Sequence, residues 1–344
     1  MCELFALSSN RSVKINFSWR GFKKRGVINR DGWGIAWYLN NRFAGLTKEP
    51  KPTVESSIAR LMSEGVISRI VISHVRWASQ GDISCVNTHP FVRRLWERDW
   101  VFAHNGDVSR IMGNSSYKLE LYHPIGQTDS EYAFCYILER LSDSMNKKLD
   151  NLVYRLWILL EEIGRYGKFN ILLSQGEYLF AYMNREETLY YLLRHPPHHG
   201  SAELIDEDYN VKIGEMKSHY EYAAIVATVP LTKEEWNPMK PGSLYVFNNG
   251  DLLLTVERGE IKLVLNKLEY DILKTIHKAS HSVKFEDLKK VGLTREELRE
   301  ALQKLINKQL LLHNLNNSKE SNHARMKYYT NPNFRTLIDK LLYL

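Results

Sequence analysis

The sequence predicts an α+β fold built in layers, followed by a smaller module of α/β character. Three features lead there. Six short apolar runs bounded by turn residues read as buried strands, too many and too adjacent for a simple βαβ repeat. Only two long helical patterns interrupt them. The charge then shifts: residues 1–257 hold 30 Lys+Arg and 30 Asp+Glu, whereas residues 258–344 hold 17 and 10. The whole net charge of +7 lies in that last quarter, which marks two modules, 2–257 and 258–344.

The expected strands are Arg69–His74, Trp100–His104, Phe169–Leu173, Tyr178–Tyr182, Ala223–Thr228 and Ser243–Phe247. They are rich in β-branched and aromatic residues. The expected helices are Ser130–Arg140, after a Thr-Asp-Ser start signal, and Leu149–Tyr166, with apolar residues at helical spacing. Beyond Gly259 the pattern gives helices at Lys267–His277, Val283–Val291 and Thr294–Lys308, the last opened by a capping box of Thr294 and Glu297. Strands at Leu310–Leu312 and Lys327–Thr330 flank a polar loop, Asn314–Ala324, and Phe334–Leu342 closes as a helix. Three helices, a hairpin and a last helix is the order of a winged helix-turn-helix.

Composition narrows the function. At 44% hydrophobic and 25% charged residues the chain is ordinary globular protein. No apolar run approaches the ~20 residues of a membrane span. The N-terminal segment lacks the basic-then-apolar pattern of a secretory leader. Three cysteines, Cys2, Cys85 and Cys135, are too few for a disulfide scaffold, and they fit a cytoplasmic location. No ligand cluster suggests a metal. The three histidines of Arg194–Gly200 (RHPPHHG) lack ligand spacing and read as a solvated loop.

Cys2 decides the functional reading. Removal of Met1 would leave a residue carrying both a thiol and a free α-amine. Such an amine, with a pKa near ~7.7–8.0, is partly neutral at cellular pH. One residue would then supply nucleophile and base. Alone, a cysteine at position two is weak evidence. Four further segments strengthen it: RDGWGIAWY (30–38), SHVRWASQGDISCVNTHPF (73–91), FAHNGD (102–107) and GQTDSEY (126–132). In FAHNGD the Asn105 amide and the Gly106 N–H can aim at one point, as an oxyanion hole requires; read alone, Asn-Gly is a turn dipeptide. Arg76 can fork onto a carboxylate, or form a structural ion pair. Asp129 can hold an ammonium or cap a helix, a task Ser130 could also take.

Together with MCELFALSS, these segments resemble the class II glutamine amidotransferase domain of the N-terminal nucleophile (Ntn) hydrolases, over residues 2–257. The likeness is greatest to stand-alone members, including those that hydrolyse γ-glutamyl amides. The resemblance implies a four-layer αββα sandwich, with Cys2, Asn105 and Gly106 catalytic and Arg76, Trp77 and Asp129 binding substrate. Arg76 would hold the α-carboxylate and Asp129 the α-ammonium of a glutamyl group. Asp31, Gly32, Trp33 and Gly34 would be framework, and Asn87 and His89 would order the pocket loops. Cys2 would attack the γ-carboxamide of glutamine or a γ-glutamyl amide, forming a γ-glutamyl thioester and needing no cofactor. Two alternatives stand beside hydrolysis. The chain could supply ammonia as the subunit of a separate synthase, or act as a γ-glutamyl sensor controlling a DNA-binding tail. The positive charge of 258–344 favours DNA, whereas Glu296, Glu297 and Glu300 on the expected recognition helix oppose it. Winged helices also mediate dimers and protein docking, which leaves homo-oligomerisation open.

Overall fold

The computed structural model describes residues 2–143, 148–185, 188–206, 209–218, 220–279, 282–288, 294–314 and 326–342. The chain divides into two compact units, Met1–Lys147 with Asn151–Ile261, and Lys148–Asp150 with Lys262–Leu344.

In the first unit, β1 (Glu3–Lys14) runs straight from Cys2 and leads into α1 (Asn16–Lys23). There follow β2 (Gly32–Tyr38), β3 (Ala44–Glu49) and α2 (Ser57–Gly65), the last capped by Ser56 accepting from the Ala59 N–H. Next come β4 (Ile67–Arg76), β5 (Phe91–Leu95) and β6 (Arg98–Asp107). Two helices, α3 (Asp129–Ser142) and α4 (Leu149–Gly164), precede β7 (Lys168–Ser174), β8 (Leu179–Met183) and β9 (Tyr190–Arg194). A short pair, β10 (Ser201–Glu203) and β11 (Asn210–Lys212), runs into α5 (Ile213–Met216). The unit ends with β12 (Ala223–Ala227), β13 (Asn237–Pro238), β14 (Ser243–Asn248), β15 (Asp251–Glu257) and β16 (Glu260–Leu263).

Two seven-stranded sheets result, ordered β13-β9-β12-β1-β4-β2-β3 and β16-β15-β14-β8-β7-β6-β5. Strands β1 and β4 of the first pack on β6 and β7 of the second. Helices α1 and α2 pack together and α1 also packs on β1; Trp19, Phe22, Trp33, Phe5 and Val71 share their core. Helix α3 packs on β5 and β6. Both sheets are therefore buried on both faces, which is why their central strands read as continuous apolar runs.

All six expected strands and both expected helices of this region form. Helices α1 and α2 were not expected. They are 8 and 9 residues long, about two turns each, too short for a periodic signal to emerge from local pattern.

The second unit holds α6 (Lys267–Lys278), β17 (Val283–Lys284), α7 (Phe285–Leu288), α8 (Arg295–Asn307), β18 (Leu311–Asn314), β19 (Lys327–Thr330) and α9 (Arg335–Leu342). Both α6 and α8 open with capping boxes, Asn266 with Glu269 and Thr294 with Glu297. The expected helix at Val283–Val291 needs correction. Val283 pairs with Tyr328 in a three-stranded sheet ordered β17-β19-β18, and among the described residues the helix spans Phe285–Leu288, with the Asp287 carboxylate accepting from the Lys284 N–H. Residues 289–291, and the expected wing loop from 315 to 324, lie outside the described residues.

The core of this unit, including Leu273, Leu298, Leu305 and Ile338, encloses an ion pair. Lys308 Nζ donates to Glu269 Oε2 at 3.1 Å and to the Val264 carbonyl at 2.6 Å, with both charged side chains at 5% exposure or less. Lys308→Met strands a buried carboxylate. It is expected to destabilise this unit by about 3–5 kcal/mol, seen as an earlier denaturant transition, with part of the loss recovered by adding Glu269→Gln. An unchanged transition would refute this account.

Candidate active site

Strand β1 lies between β12 and β4, with Glu3 opposite Val75 and Leu4 opposite His74. That register sets Cys2 beside the end of β4. The Cys2 thiol donates to the Trp77 carbonyl at 3.1 Å, and the Trp77 N–H points back at the sulfur at 3.2 Å. Thr228, just past β12, exchanges two hydrogen bonds with Leu4, one through its hydroxyl and one through its N–H. The strand start is thus pinned from both sides. Burial pushes the Cys2 thiol above its ordinary pKa, opposed by the Trp77 N–H and the Arg76 charge.

Strand β6 delivers the Asn-Gly pair. Asn105 sits opposite Asn170 and Gly106 opposite Phe169 of β7. A Cβ at Gly106 would lie 1.8 Å from the Lys168 carbonyl and 2.6 Å from His104 Nε2. Only glycine fits there, for reasons of space. Asn105 is buried, on the opposite face of the strand from His104. His104 in turn lies 2.8 Å from Ser130 Oγ through Nδ1 and 3.2 Å from the Lys168 carbonyl through Nε2.

Arg76 is 3% exposed, and its guanidinium donates to three loop carbonyls, those of Gln80, Gly81 and Asp82, at 2.7–3.1 Å. It therefore shapes the loop that follows it, and no carboxylate pairs with it among the described residues. Asp31 Oδ2 accepts from the Ala78 N–H at 2.7 Å and anchors the same loop from the β2 side. Asn87 and Gln127 bridge it to the next motif. Asn87 Nδ2 donates to the Asp82 carbonyl and to Gln127 Oε1, and Gln127 N–H donates to Asn87 Oδ1. Two residues on, Asp129 accepts from the Val108 N–H at 2.7 Å and the Ser130 N–H at 2.8 Å. Val108 lies two residues past Gly106. The helix cap falls neither to Asp129 nor to Ser130: Thr128 caps α3 by accepting from the Glu131 N–H, because only the residue before the first turn has the extended backbone a cap needs.

Of the residues singled out from sequence, Cys2, Trp77 and Arg76 are joined directly, and Asp129 is joined to Asn87 and Gly106 by short relays. Trp77 meets Cys2 through its backbone, while its side chain is half-exposed. In the RHPPHHG stretch, His195 faces Asp251 and His198 bonds the Glu221 carbonyl. Sequence reasoning gave no role to Gln127, Thr228 or Lys168. Each acts on a partner distant in sequence, so no local pattern marks it.

A thiol at the head of a central strand, a strand-borne Asn-Gly pair and an arginine and aspartate held in linked loops define a glutamine amidotransferase-type protein. The chain belongs to the class-II glutamine amidotransferases: the model of that family matches residues 1–269. An uncharacterised protein of Methanocaldococcus jannaschii is 38% identical over 99% of this chain and 96% of its own length. Escherichia coli YafJ, named for the glutamine amidotransferases, is 36% identical over 73% of this chain and 99% of its own. A crystal structure of a predicted glutamine amidotransferase from Pseudomonas aeruginosa superposes with a TM-score of 0.55 at 29% identity, covering 73% of this chain and 99% of that one. No helix among the described residues is long and apolar enough to cross a membrane.

Three histidines back the site. His74, His89 and His104 are buried, with the His74 and His89 rings 4.3 Å apart. Burial, reinforced by mutual repulsion, lowers His74 to about 3 and His89 well below its ordinary value. The unfolded chain, with histidines near ~6.5, takes up protons first. The stability contributed by the neutral rings is whole above that pH and is lost as the pH falls toward the folded values. Thermal midpoints are expected to drop on acidification below about 6.5, while the ring resonances of His74 and His89 stay unprotonated in the folded protein at pH 5. Titration of either ring near its unperturbed value would contradict this.

Proposed function

We propose that the protein hydrolyses the γ-carboxamide of glutamine or a γ-glutamyl amide, with Cys2 as nucleophile. The supporting observation is the pinned start of β1, which holds the Cys2 thiol against the main chain of Trp77, next to Arg76. Met1 removal frees the α-amine, which takes the thiol proton, directly or through a water. The sulfur attacks the carbonyl carbon. Asn105 Nδ2 and the Gly106 N–H donate to the oxyanion. The α-ammonium returns its proton to the leaving amine, and water cleaves the γ-glutamyl thioester. Arg76 and Asp129 read the α-carboxylate and α-ammonium of the glutamyl group. A carboxylate reaching Arg76 would offer it a charge-assisted fork in place of neutral loop carbonyls. Trp77 walls the pocket. These steps require no metal or organic cofactor.

Hydrolysis is favoured over ammonia supply to a separate synthase because the site needs no other chain to complete it in this mechanism. On Met1-processed protein verified by mass, glutamate and ammonia release from glutamine or a γ-glutamyl panel is expected to vanish in Cys2→Ala. Asn105→Ala should lower kcat by about 10²–10³. Full activity of Cys2→Ala would overturn the mechanism. Release that appears only with an added synthase would favour the subunit reading.

For residues 258–344 the proposal is a winged-helix-type module that docks protein, a second copy of the chain included, in preference to DNA. The exposed start of α8 carries Glu296 and Glu300, while Glu297 is engaged by Thr294 and Arg295 pairs with Glu286. With Arg299 standing between Glu296 and Glu300, the segment keeps little net positive charge for phosphate. The full chain is expected to show no DNA mobility shift at low salt. A strong, salt-dependent shift would restore the γ-glutamyl-sensing regulator.

A further inference from the structure

We propose that a cationic cavity beside the Asn105–Gly106 pair binds an anionic group, a carboxylate or a phosphate, carried on the amine side of the γ-glutamyl substrate. This rests on the amidohydrolase reading above and adds a substrate class to it. The cavity measures about 640 Å³ and is walled by Asp107 at the end of β6, Arg110 just beyond it, Arg165 and Lys168 around the turn after α4, and Asn184 and Arg185 after β8. Among the described residues of its wall, four cations stand with one carboxylate. Among the described residues Arg110, Arg165 and Arg185 make no ion pair.

The three arginines come from three separate places in the chain. Arg165 has a local reason to exist, since it follows the C-terminus of α4, where a cation complements the helix dipole. That reason does not extend to Arg110 or Arg185. Like charges gathered in one concavity raise its potential and attract anions, and guanidinium forks match carboxylate and phosphate oxygens. The walls are also fixed. Asn184 accepts from the Phe169 N–H at 2.9 Å and donates to the Gly164 and Gly167 carbonyls at 2.8 and 2.7 Å.

The cavity adjoins the reacting centre. Its Lys168 carbonyl crowds Gly106, and the Lys168 ammonium is near enough to feel both the Cys2 sulfur and the Arg185 guanidinium. The proposal directs the amine substituent of such a substrate toward Lys168, the wall residue whose ammonium senses Cys2, and so into this cavity. Glutamine, with only an NH2 there, leaves it unfilled. The chemistry is unchanged: the C–N bond breaks, the amine departs with its anion and the proton it receives, and water supplies the hydroxyl of glutamate.

The test compares matched amides on the Met1-processed full chain. They are γ-glutamyl-glycine against γ-glutamyl-glycinamide, and γ-glutamyl-phosphoethanolamine against γ-glutamyl-ethanolamine. The expected kcat/KM favours the anionic member by about tenfold or more, the scale of a charge-assisted hydrogen bond, and the ratio falls toward one in Arg165→Gln/Arg185→Gln. A ratio within one preparation cancels differences in folding or processing. Inorganic phosphate binding to the same proteins, followed by calorimetry, is the second measurement and needs no turnover. It is expected in the parent and lost in the double variant. A ratio near one with active enzyme overturns the amine-side assignment, and absence of phosphate binding overturns the anion site. Phosphate binding without cleavage of any amide supports the anion site while removing the hydrolase reading.

Discussion

The site depends on the register between β1 and β4. Leu4 faces His74 and Glu3 faces Val75, so Cys2 arrives level with Arg76 and Trp77. A slip of one residue would turn every side chain of β1 to the other face of the sheet and carry the thiol away from the Trp77 main chain. Burial on both faces holds that register. Phe5 and Leu7 join the core that contains Trp19 and Trp33, while Leu4 and Ala6 are equally buried. The position of Cys2 is therefore set by hydrophobic packing along the whole strand, with Thr228 bonded to the main chain of Leu4 at its start.

The second constraint is the buried Arg76. A guanidinium at 3% exposure is costly unless its donors are met, and here three carbonyls of a single loop meet them. The loop in turn carries Asp82 and Asn87, which engage Gln127. Substrate contact at Arg76 would therefore be transmitted to the segment that ends in Asp129. One loop couples the two groups proposed to read opposite ends of a glutamyl head group, so the charges at either end need not be recognised independently.

Sequence revealed six strands of the first unit because they are buried on both faces and so read as continuous apolar runs; it did not reveal others such as β1, β2 and β15, although they too are largely buried. It revealed the site motifs because they are contiguous: Asn105 and Gly106 are adjacent, as are Arg76 and Trp77. It did not reveal the short helices α1 and α2, whose order comes from tertiary packing of Trp19 and Phe22. Nor did it reveal the role of Thr128, hidden among three adjacent residues that all cap helices well; backbone conformation, absent from the sequence, decides among them. At Val283–Lys284 a strand displaces the expected helix because Tyr328, 45 positions away by number, offers a ladder partner. Lys168 and Gln127 stayed silent for the same reason. Lysine and glutamine are ordinary surface residues until a distant strand or loop gives them a place.

The electrostatics of Cys2 bear on how such a site would be switched on. Burial favours the neutral thiol, and the Trp77 N–H and Arg76 only partly offset it. With Met1 attached, the Cys2 nitrogen is an amide and cannot accept a proton. None of the three histidines behind the site is a convincing substitute base: burial depresses the proton affinity of all three, and the His104 ring nitrogens already face Ser130 and the Lys168 carbonyl. Under the proposed mechanism the α-amine released by Met1 removal is then the base matched to the task, with a pKa near ~7.7–8.0. The same cleavage that exposes the nucleophile's own nitrogen would supply its activation, so the unprocessed chain would fold around a thiol held in place but still protonated.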